Sequence, residues 1–172
     1  NHPINPNNPY SRSKAIAEQL CKSYYEDYGL KIIILRPFNV YGPGQNKNFL
    51  IQSIFNQIIS KGEINLKDPN PKRDYVYIKD LVNAIILAIK FDKSKFEVFN
   101  IGSGKSYSAQ ETMQIINSKL KSKIKVTFSK DKRISEISDC YANISKAKKL
   151  LKWLPQYDLN SGINEMIKYY NL

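Results

Sequence analysis

The apolar positions change period several times along the chain, and each change marks an element. From Pro9 to Tyr28 the pattern is helical: Ile16, Leu20, Cys21, Tyr24 and Tyr28 form an apolar stripe. Pro9 suits the first turn and Gly29 the left-handed stop that follows. Lys31-Ile-Ile-Ile-Leu-Arg36 is a short β-branched run closed by Pro37, the pattern of a buried strand. A helix leading into a buried strand is the order of a parallel α/β sheet. A loop rich in Gly, Pro and Asn covers Pro37 to Asn48, and a helix runs from there to Lys61, stopped by Gly62. Ile64–Lys67 and Asp74–Ile78 read as short strands around the turn Asp68-Pro69-Asn70-Pro71. Asp80 is placed as the cap of a helix over Leu81–Lys90, and Phe96–Ile101 as a strand ending at Gly102-Ser103-Gly104. Ser108 and Glu111 form a capping box for a helix to Leu120. Ile124–Phe128 is a strand, and Ser145–Leu151 and Asn160–Tyr170 are the last two helices.

At 172 residues, 42% of them hydrophobic, the chain is one domain or the cut end of a larger one. No apolar run approaches the roughly 20 residues needed to cross a bilayer. Asn1 to Pro6 lacks the zones of a signal peptide, so the expected address is cytoplasmic, with no membrane partner. Two cysteines and the single His2 leave no ordinary zinc constellation, and Cys21, inside a helical pattern, reads as a buried thiol. The net charge of +12 is lysine spread along the whole chain, which describes a solvated surface better than a nucleic-acid patch. Arginine is the informative cation. Only Arg12, Arg36, Arg73 and Arg133 occur, and each brings a planar fork of donors that lysine cannot supply.

The first candidate for chemistry is Tyr10-Ser-Arg-Ser-Lys14. At i and i+4 of a helix the two side chains share a face, and an ammonium beside a phenol lowers its pKa from about 10 toward usable acid/base range. In a chain with 12 Tyr and abundant Lys, about one or two such matches arise by chance, and Tyr75…Lys79 is another. Context separates them. Tyr10 opens a helix that leads into a buried strand, whereas Tyr75 starts within a strand and loses the i+4 geometry. Gly102-Ser103-Gly104 reads as a strand-ending turn, because nothing after it matches a dinucleotide fingerprint.

Five blocks, in order, resemble the extended short-chain dehydrogenases/reductases, and within them the nucleotide-sugar epimerases and dehydratases. Pro9-Tyr10-Ser-Arg-Ser-Lys14 with Glu18 is similar to PYxxSKxxxE. Leu35 to Gly44 resembles LRPFNVYGPG, Lys72 to Asp80 resembles RDFVYVDD, and Phe99 to Gly104 resembles YNIGSG. Arg133 to Ala142, followed by Ser145 to Leu150 and Trp153-Leu154-Pro155, resembles the family's tail. The blocks span the chain and contain all four arginines.

The resemblance implies an α/β fold, the C-terminal part of a doubly wound NAD-binding Rossmann domain plus a smaller α/β substrate-binding domain. Residues 1–36 would end the NAD-binding domain, 37–75 begin the substrate domain, 76–102 return to the NAD-domain sheet, and 103–172 complete the substrate domain. Tyr10 would be the acid/base on the sugar hydroxyl, and Lys14 would bind the nicotinamide ribose of NAD. Pro37 and Phe38 would lie beside the nicotinamide. Asn39 would contact the diphosphate of a UDP-sugar, Arg73 and Arg133 would clamp it, and Glu136 would sit by its ribose. The Ile64–Lys67 strand would read the base through its backbone. Cys140 would stand in the wall of the sugar pocket, where a small residue admits a 2-N-acetyl group. The implied reaction is 4-epimerisation through a 4-keto intermediate, with NAD regenerated each turn, in an enzyme that is a homodimer at full length. A 4,6-dehydratase or a decarboxylase of the same family shares the first oxidation; a non-catalytic sugar-nucleotide-binding module or a basic nucleic-acid-binding module is the reading from another class.

Some positions depart from the family. Ser135 stands for the usual Gly, Asn143 for Asp, and Lys67-Asp68 for an aromatic-Gly pair. The Gly-rich phosphate loop, the ribose-binding acid and the catalytic Ser/Thr of the family would all precede residue 1, so this piece alone is expected to be inactive.

Overall fold

The computed structural model describes residues 4–61, 63–120, 124–129 and 137–172. Helix α1 spans Pro9–Tyr28, as its pattern predicts. Asn8 caps it, accepting from the Ser11 amide at 2.8 Å while Ser11 Oγ accepts from the Asn8 amide, and Gly29 closes it at φ 65°. Then follow β1 (Ile32–Pro37), β2 (Asn39–Tyr41), α2 (Leu50–Lys61), β3 (Glu63–Leu66), β4 (Lys72–Tyr77), α3 (Ile78–Ile89) and β5 (Phe96–Ile101). The chain continues through β6 (Ser106–Tyr107), α4 (Ala109–Lys119), β7 (Lys125–Phe128), β8 (Asp139–Cys140), a π-helical turn over Ala147–Leu151 and α5 (Leu159–Tyr170). The Ser108–Glu111 capping box is present at α4.

The class is α/β, as expected. β1 pairs β5, β2 pairs β4 and β3 pairs β7, all in parallel; β4 also takes β6 antiparallel and β8 parallel. β4 is the wall between two cores because successive side chains of a strand point to opposite faces. Tyr75 and Tyr77 enter one core with Tyr41, Phe55, Met113 and Ile163. Val76 enters the other with Ala84, Phe99, Ile101, Leu151 and Trp153.

Several expectations need correction. The stretch from Pro37 to Asn48 is not all loop: Asn39–Tyr41 is β2, held by its ladder to β4. β6 and β8 were not foreseen, since two residues carry no periodicity. Asp80 does not cap a helix. α3 starts at Ile78 with Tyr77 in the cap position, and Asp80, 1% exposed, accepts the amides of Gln156 at 2.8 Å and Tyr157 at 3.0 Å. Burial raises the Asp80 pKa and these two bonds oppose the rise. Its backbone carbonyl also accepts the Trp153 indole N–H at 3.0 Å, so the carboxylate and carbonyl together dock the segment after the π-turn. Gly62, the expected stop of α2, lies outside the described residues.

The inward face of α1 also differs from the expected stripe. Its half-buried positions are Ser11, Ala15, Glu18, Cys21 and Tyr25, whereas Ile16, Leu20, Tyr24 and Tyr28 are exposed. Only Cys21 belongs to both sets. β1 and β5 lie against one face of α1 and leave the stripe on the other uncovered among the described residues. β1, with β5 as its only ladder partner among the described residues, is half-buried where a buried strand was expected.

Gly162 makes α5 fit against β2, because a Cβ there would overlap the Tyr41 hydroxyl. Gly162→Ala should therefore destabilise the fold by about 1–3 kcal/mol, although alanine is by itself the better helix former by about 1 kcal/mol. Urea denaturation checks the sign: a gain in stability would mean that Tyr41 moves aside at little cost.

Candidate functional site

β4 organises the site. Asp74, fully buried on one face of it, accepts four hydrogen bonds: Ser103 N at 2.6 Å, Ser103 Oγ at 2.7 Å, Gly104 N at 2.9 Å and Ala142 N at 3.0 Å. The Gly102-Ser103-Gly104 turn thus cradles a carboxylate of the protein itself. Gly102 is required there, since a Cβ would meet Asp74 Oδ2 at 2.7 Å and the Ala142 Cβ at 2.6 Å. The effect is to pin the end of β5 and the segment after β8 to β4.

On the opposite face of β4, Arg73 and Tyr75 line a cavity of about 370 Å³ with Asn39, Gln45, Phe49, Lys67 and Asp68. Arg73 Nη1 donates to the carbonyls of Lys72 and Ile137, both at 2.7 Å, which fixes the guanidinium against the wall. Asn39 Nδ2 donates to the Asp74 carbonyl at 3.0 Å, so β2 is tied to β4 at the cavity edge. Phe49, 55% exposed, is an aromatic surface at the rim. Burial pushes the Tyr75 phenol up to about 12, against the opposing charge of Arg73, so Tyr75 is a neutral donor rather than an acid/base near neutrality. Its apparent partner Lys79 lies in α3 and bonds Glu165 at 2.9 Å. The chance reading of Tyr75…Lys79 is thereby supported.

Tyr10 and Lys14 occupy one face of α1, with Lys14 Nζ 5.4 Å from the ring centroid and Tyr10 73% exposed. The helix is tied to β1 by a forked ion pair: Arg36 Nε donates to Glu18 Oε1 at 2.7 Å, and Nη2 to Oε2. Hydrogen bonding to the Glu18 carboxylate raises the Arg36 pKa above its ordinary value. Pro37 and Phe38 follow directly at the carboxyl end of β1, where ligands bind in parallel α/β sheets; the Phe38 amide is taken by the Ile101 carbonyl at 2.9 Å.

Asn39 and Arg73 are therefore brought together in one cavity, and Tyr10 and Lys14 form a pair on α1. Cys140 sits on β8 opposite Arg73 and is not among the cavity-lining residues. Both cysteines are free and half-buried. Arg133, Ser135 and Glu136 lie outside the described residues. Sequence reasoning missed Gln45, Phe49 and the Asp74 cradle. The first two sit on a loop with no period to read; two glycines around Ser103 were the available signal for the third.

A family profile described as GDP-mannose 4,6 dehydratase matches residues 1–166. A Methanocaldococcus jannaschii protein, provisionally named UDP-glucose 4-epimerase, is 36% identical over 98% of this chain and 55% of its own length. The chain belongs to the extended short-chain dehydrogenase/reductase family of nucleotide-sugar epimerases and dehydratases. Among solved members, dTDP-glucose 4,6-dehydratase from Bacillus anthracis, in complex with NAD, superposes at a TM-score of 0.86 with 29% identity, covering 98% of this chain and 54% of that one. UDP-glucose 4-epimerase from Thermotoga maritima, with UDP-glucose, superposes at 0.81 with 28% identity over 97% and 54%. The α/β fold is that of these family members, and this chain spans about half the length of the relatives it matches. Among the described residues, no helix is long and apolar enough to cross a membrane.

Proposed function

We propose that this chain supplies the sugar-nucleotide side and the acid/base of an NAD-dependent nucleotide-sugar 4-epimerase, acting on UDP-glucose or UDP-N-acetylglucosamine. The observation that carries the reading is the cavity beside β4, where a guanidinium fixed by two carbonyls and the Asn39 amide face the same space. A pre-oriented fork of donors suits a diphosphate. The relatives at about this identity include proteins named for UDP-glucose.

The residues present fit NAD. Pro37 and Phe38 end β1 at the carboxyl edge of a parallel pair, and Tyr10 and Lys14 project from the preceding helix with their polar atoms open. Lys14 would hold the nicotinamide ribose and Pro37 with Phe38 would flank the nicotinamide. NAD bound there supplies a reversible hydride acceptor. The chain's own part is the proton: Tyr10 Oη takes it from the sugar C4 hydroxyl and returns it after the sugar presents its other face. Taking the proton turns the Tyr10 phenolate into the phenol, and the Lys14 ammonium stands beside that phenolate before the transfer and again after the proton is returned. Arg73 and Asn39 hold the diphosphate, Arg133 would complete the clamp and Glu136 would sit by the ribose.

A second reading, 4,6-dehydration of a dTDP-sugar, is favoured by the likeness to dTDP-glucose 4,6-dehydratases, one of them 37% identical over 58% of this chain in Dictyostelium discoideum. Product analysis of the intact enzyme separates the two: a 4-epimer supports epimerisation, and a 4-keto-6-deoxy sugar overturns it. For the binding half of the reading, Arg73→Ala should weaken UDP affinity by about 1.5–3 kcal/mol, the scale of a hydrogen bond to a charged group, with Arg73→Lys recovering only part. Calorimetric titration with UDP decides, and unchanged affinity in both variants would remove Arg73 from the diphosphate site.

A further inference from the structure

We propose that Glu18 and Arg36 are a positioning pair for the acid/base: their fork holds the angle of α1 and so the place of Tyr10 relative to the end of β1. The inference rests on the reading of Tyr10 given above, but not on the identity of the sugar.

α1 is a 20-residue helix with no buried side chain. Of its five half-buried positions, two reach the sheet through directional contacts. Tyr25 stacks on Phe96 of β5 with ring centroids 5.2 Å apart at 27°, and Glu18 takes both arms of Arg36. The stripe on its other side, Ile16, Leu20, Tyr24 and Tyr28, is exposed. At 1.5 Å per residue, Glu18 lies about 12 Å from Tyr10 along the helix axis and Tyr25 about 22 Å away. Among the described residues the fork is the directional contact nearer to Tyr10, and a tilt of about 5° about Tyr25 would carry Tyr10 by about 2 Å. A displacement of about 1 Å already costs on the order of a hundredfold in a reaction that needs near-attack geometry. The other end of the fork matters as much. Arg36 directly precedes Pro37 and Phe38, so one ion pair couples the acid/base helix to the strand end proposed to flank the nicotinamide. The pair is half-buried, with side chains 40% and 26% exposed for Arg36 and Glu18. A pair that fixes two elements by two parallel bonds is suited to orientation.

The test uses the intact enzyme with Glu18→Gln, Arg36→Lys and the reversed pair Glu18→Arg with Arg36→Glu. Steady-state kinetics on the nucleotide sugar are measured beside hydrogen exchange of the α1 amides. The singles should lower kcat by about thirtyfold or more with KM changed less than about threefold, since ground-state binding belongs to the β4 cavity. Exchange should quicken within α1 and stay unchanged in β4 and α4, and the reversed pair should recover most of kcat. Singles that keep kcat within twofold, a loss of protection spread over the whole chain, or a reversed pair that restores α1 protection without activity would each overturn the proposal. If the intact wild type turns over no nucleotide sugar, the functional reading fails instead, and the exchange arm still decides whether the fork holds α1.

Discussion

Tyr10→Phe should lower kcat of the intact enzyme by about 10²–10⁴, the usual worth of a positioned acid/base, while leaving KM for the nucleotide sugar nearly unchanged. The substitution removes one oxygen and keeps the ring over which Lys14 lies at 5.4 Å, so the local packing of α1 should survive. The phenol is proposed to move a proton only as the hydride leaves, which is why the loss falls on turnover rather than affinity. Tyr75→Phe is the matched control. That hydroxyl is buried on β4, with its pKa pushed up to about 12, and its loss should leave kcat within a few-fold of wild type. Steady-state kinetics of the two variants side by side provide the check: near-normal turnover in Tyr10→Phe would end the acid/base assignment, however Tyr75→Phe behaves.

Asp74→Asn should be the most damaging single-atom change in the fold. The carboxylate accepts from three backbone amides and one hydroxyl, drawn from Ser103, Gly104 and Ala142. A carboxamide has one acceptor oxygen, and its NH₂ would point at N–H donors that have nowhere else to turn. Leaving even one or two buried donors unpaired costs about 1–3 kcal/mol each, so a loss of about 3–5 kcal/mol is expected. At about 2–4 °C per kcal/mol for a chain of this size, the melting temperature should fall by roughly 6–20 °C. A calorimetric scan of the variant checks this, and a shift under 2 °C would mean that water or a rotated turn replaces the lost bonds.

Most of the secondary structure was legible because long periodic segments leave few alternatives: the α1 stripe, the Lys31–Arg36 run and the Ser108–Glu111 box each correspond to an element found in place. What escaped was set by tertiary contact. β2, β6 and β8 are two or three residues long and exist only because β4 offers them a ladder. Asp80 has the residue type and spacing of a cap, but a helix that begins at Ile78 leaves its carboxylate for Gln156 and Tyr157 instead. The stripe of α1 is apolar as read, but it faces away from β1 and β5, since the hydrophobic period of a helix reports which face is greasy and not which neighbour is near. In the site, Asn39 and Arg73 were reachable from their motifs. The Arg36 partner was not: Glu18 stood in a motif as a letter, and only the packing of α1 on β1 brings it to the guanidinium.

The parallel ladders bear on how the chain reaches its native state. Ile32 meets Phe96, Glu63 meets Lys125 and Lys72 meets Asp139, so three of the ladders each close a loop of about sixty residues. Nothing local rewards these closures until both ends have met, and contacts of such long range are the ones associated with slow folding. The Asp74 carboxylate can act only after β4, the turn at Ser103 and the segment at Ala142 have assembled. It is a latch that shuts late, so it should hold the native state chiefly by slowing its unfolding rather than by hastening its formation.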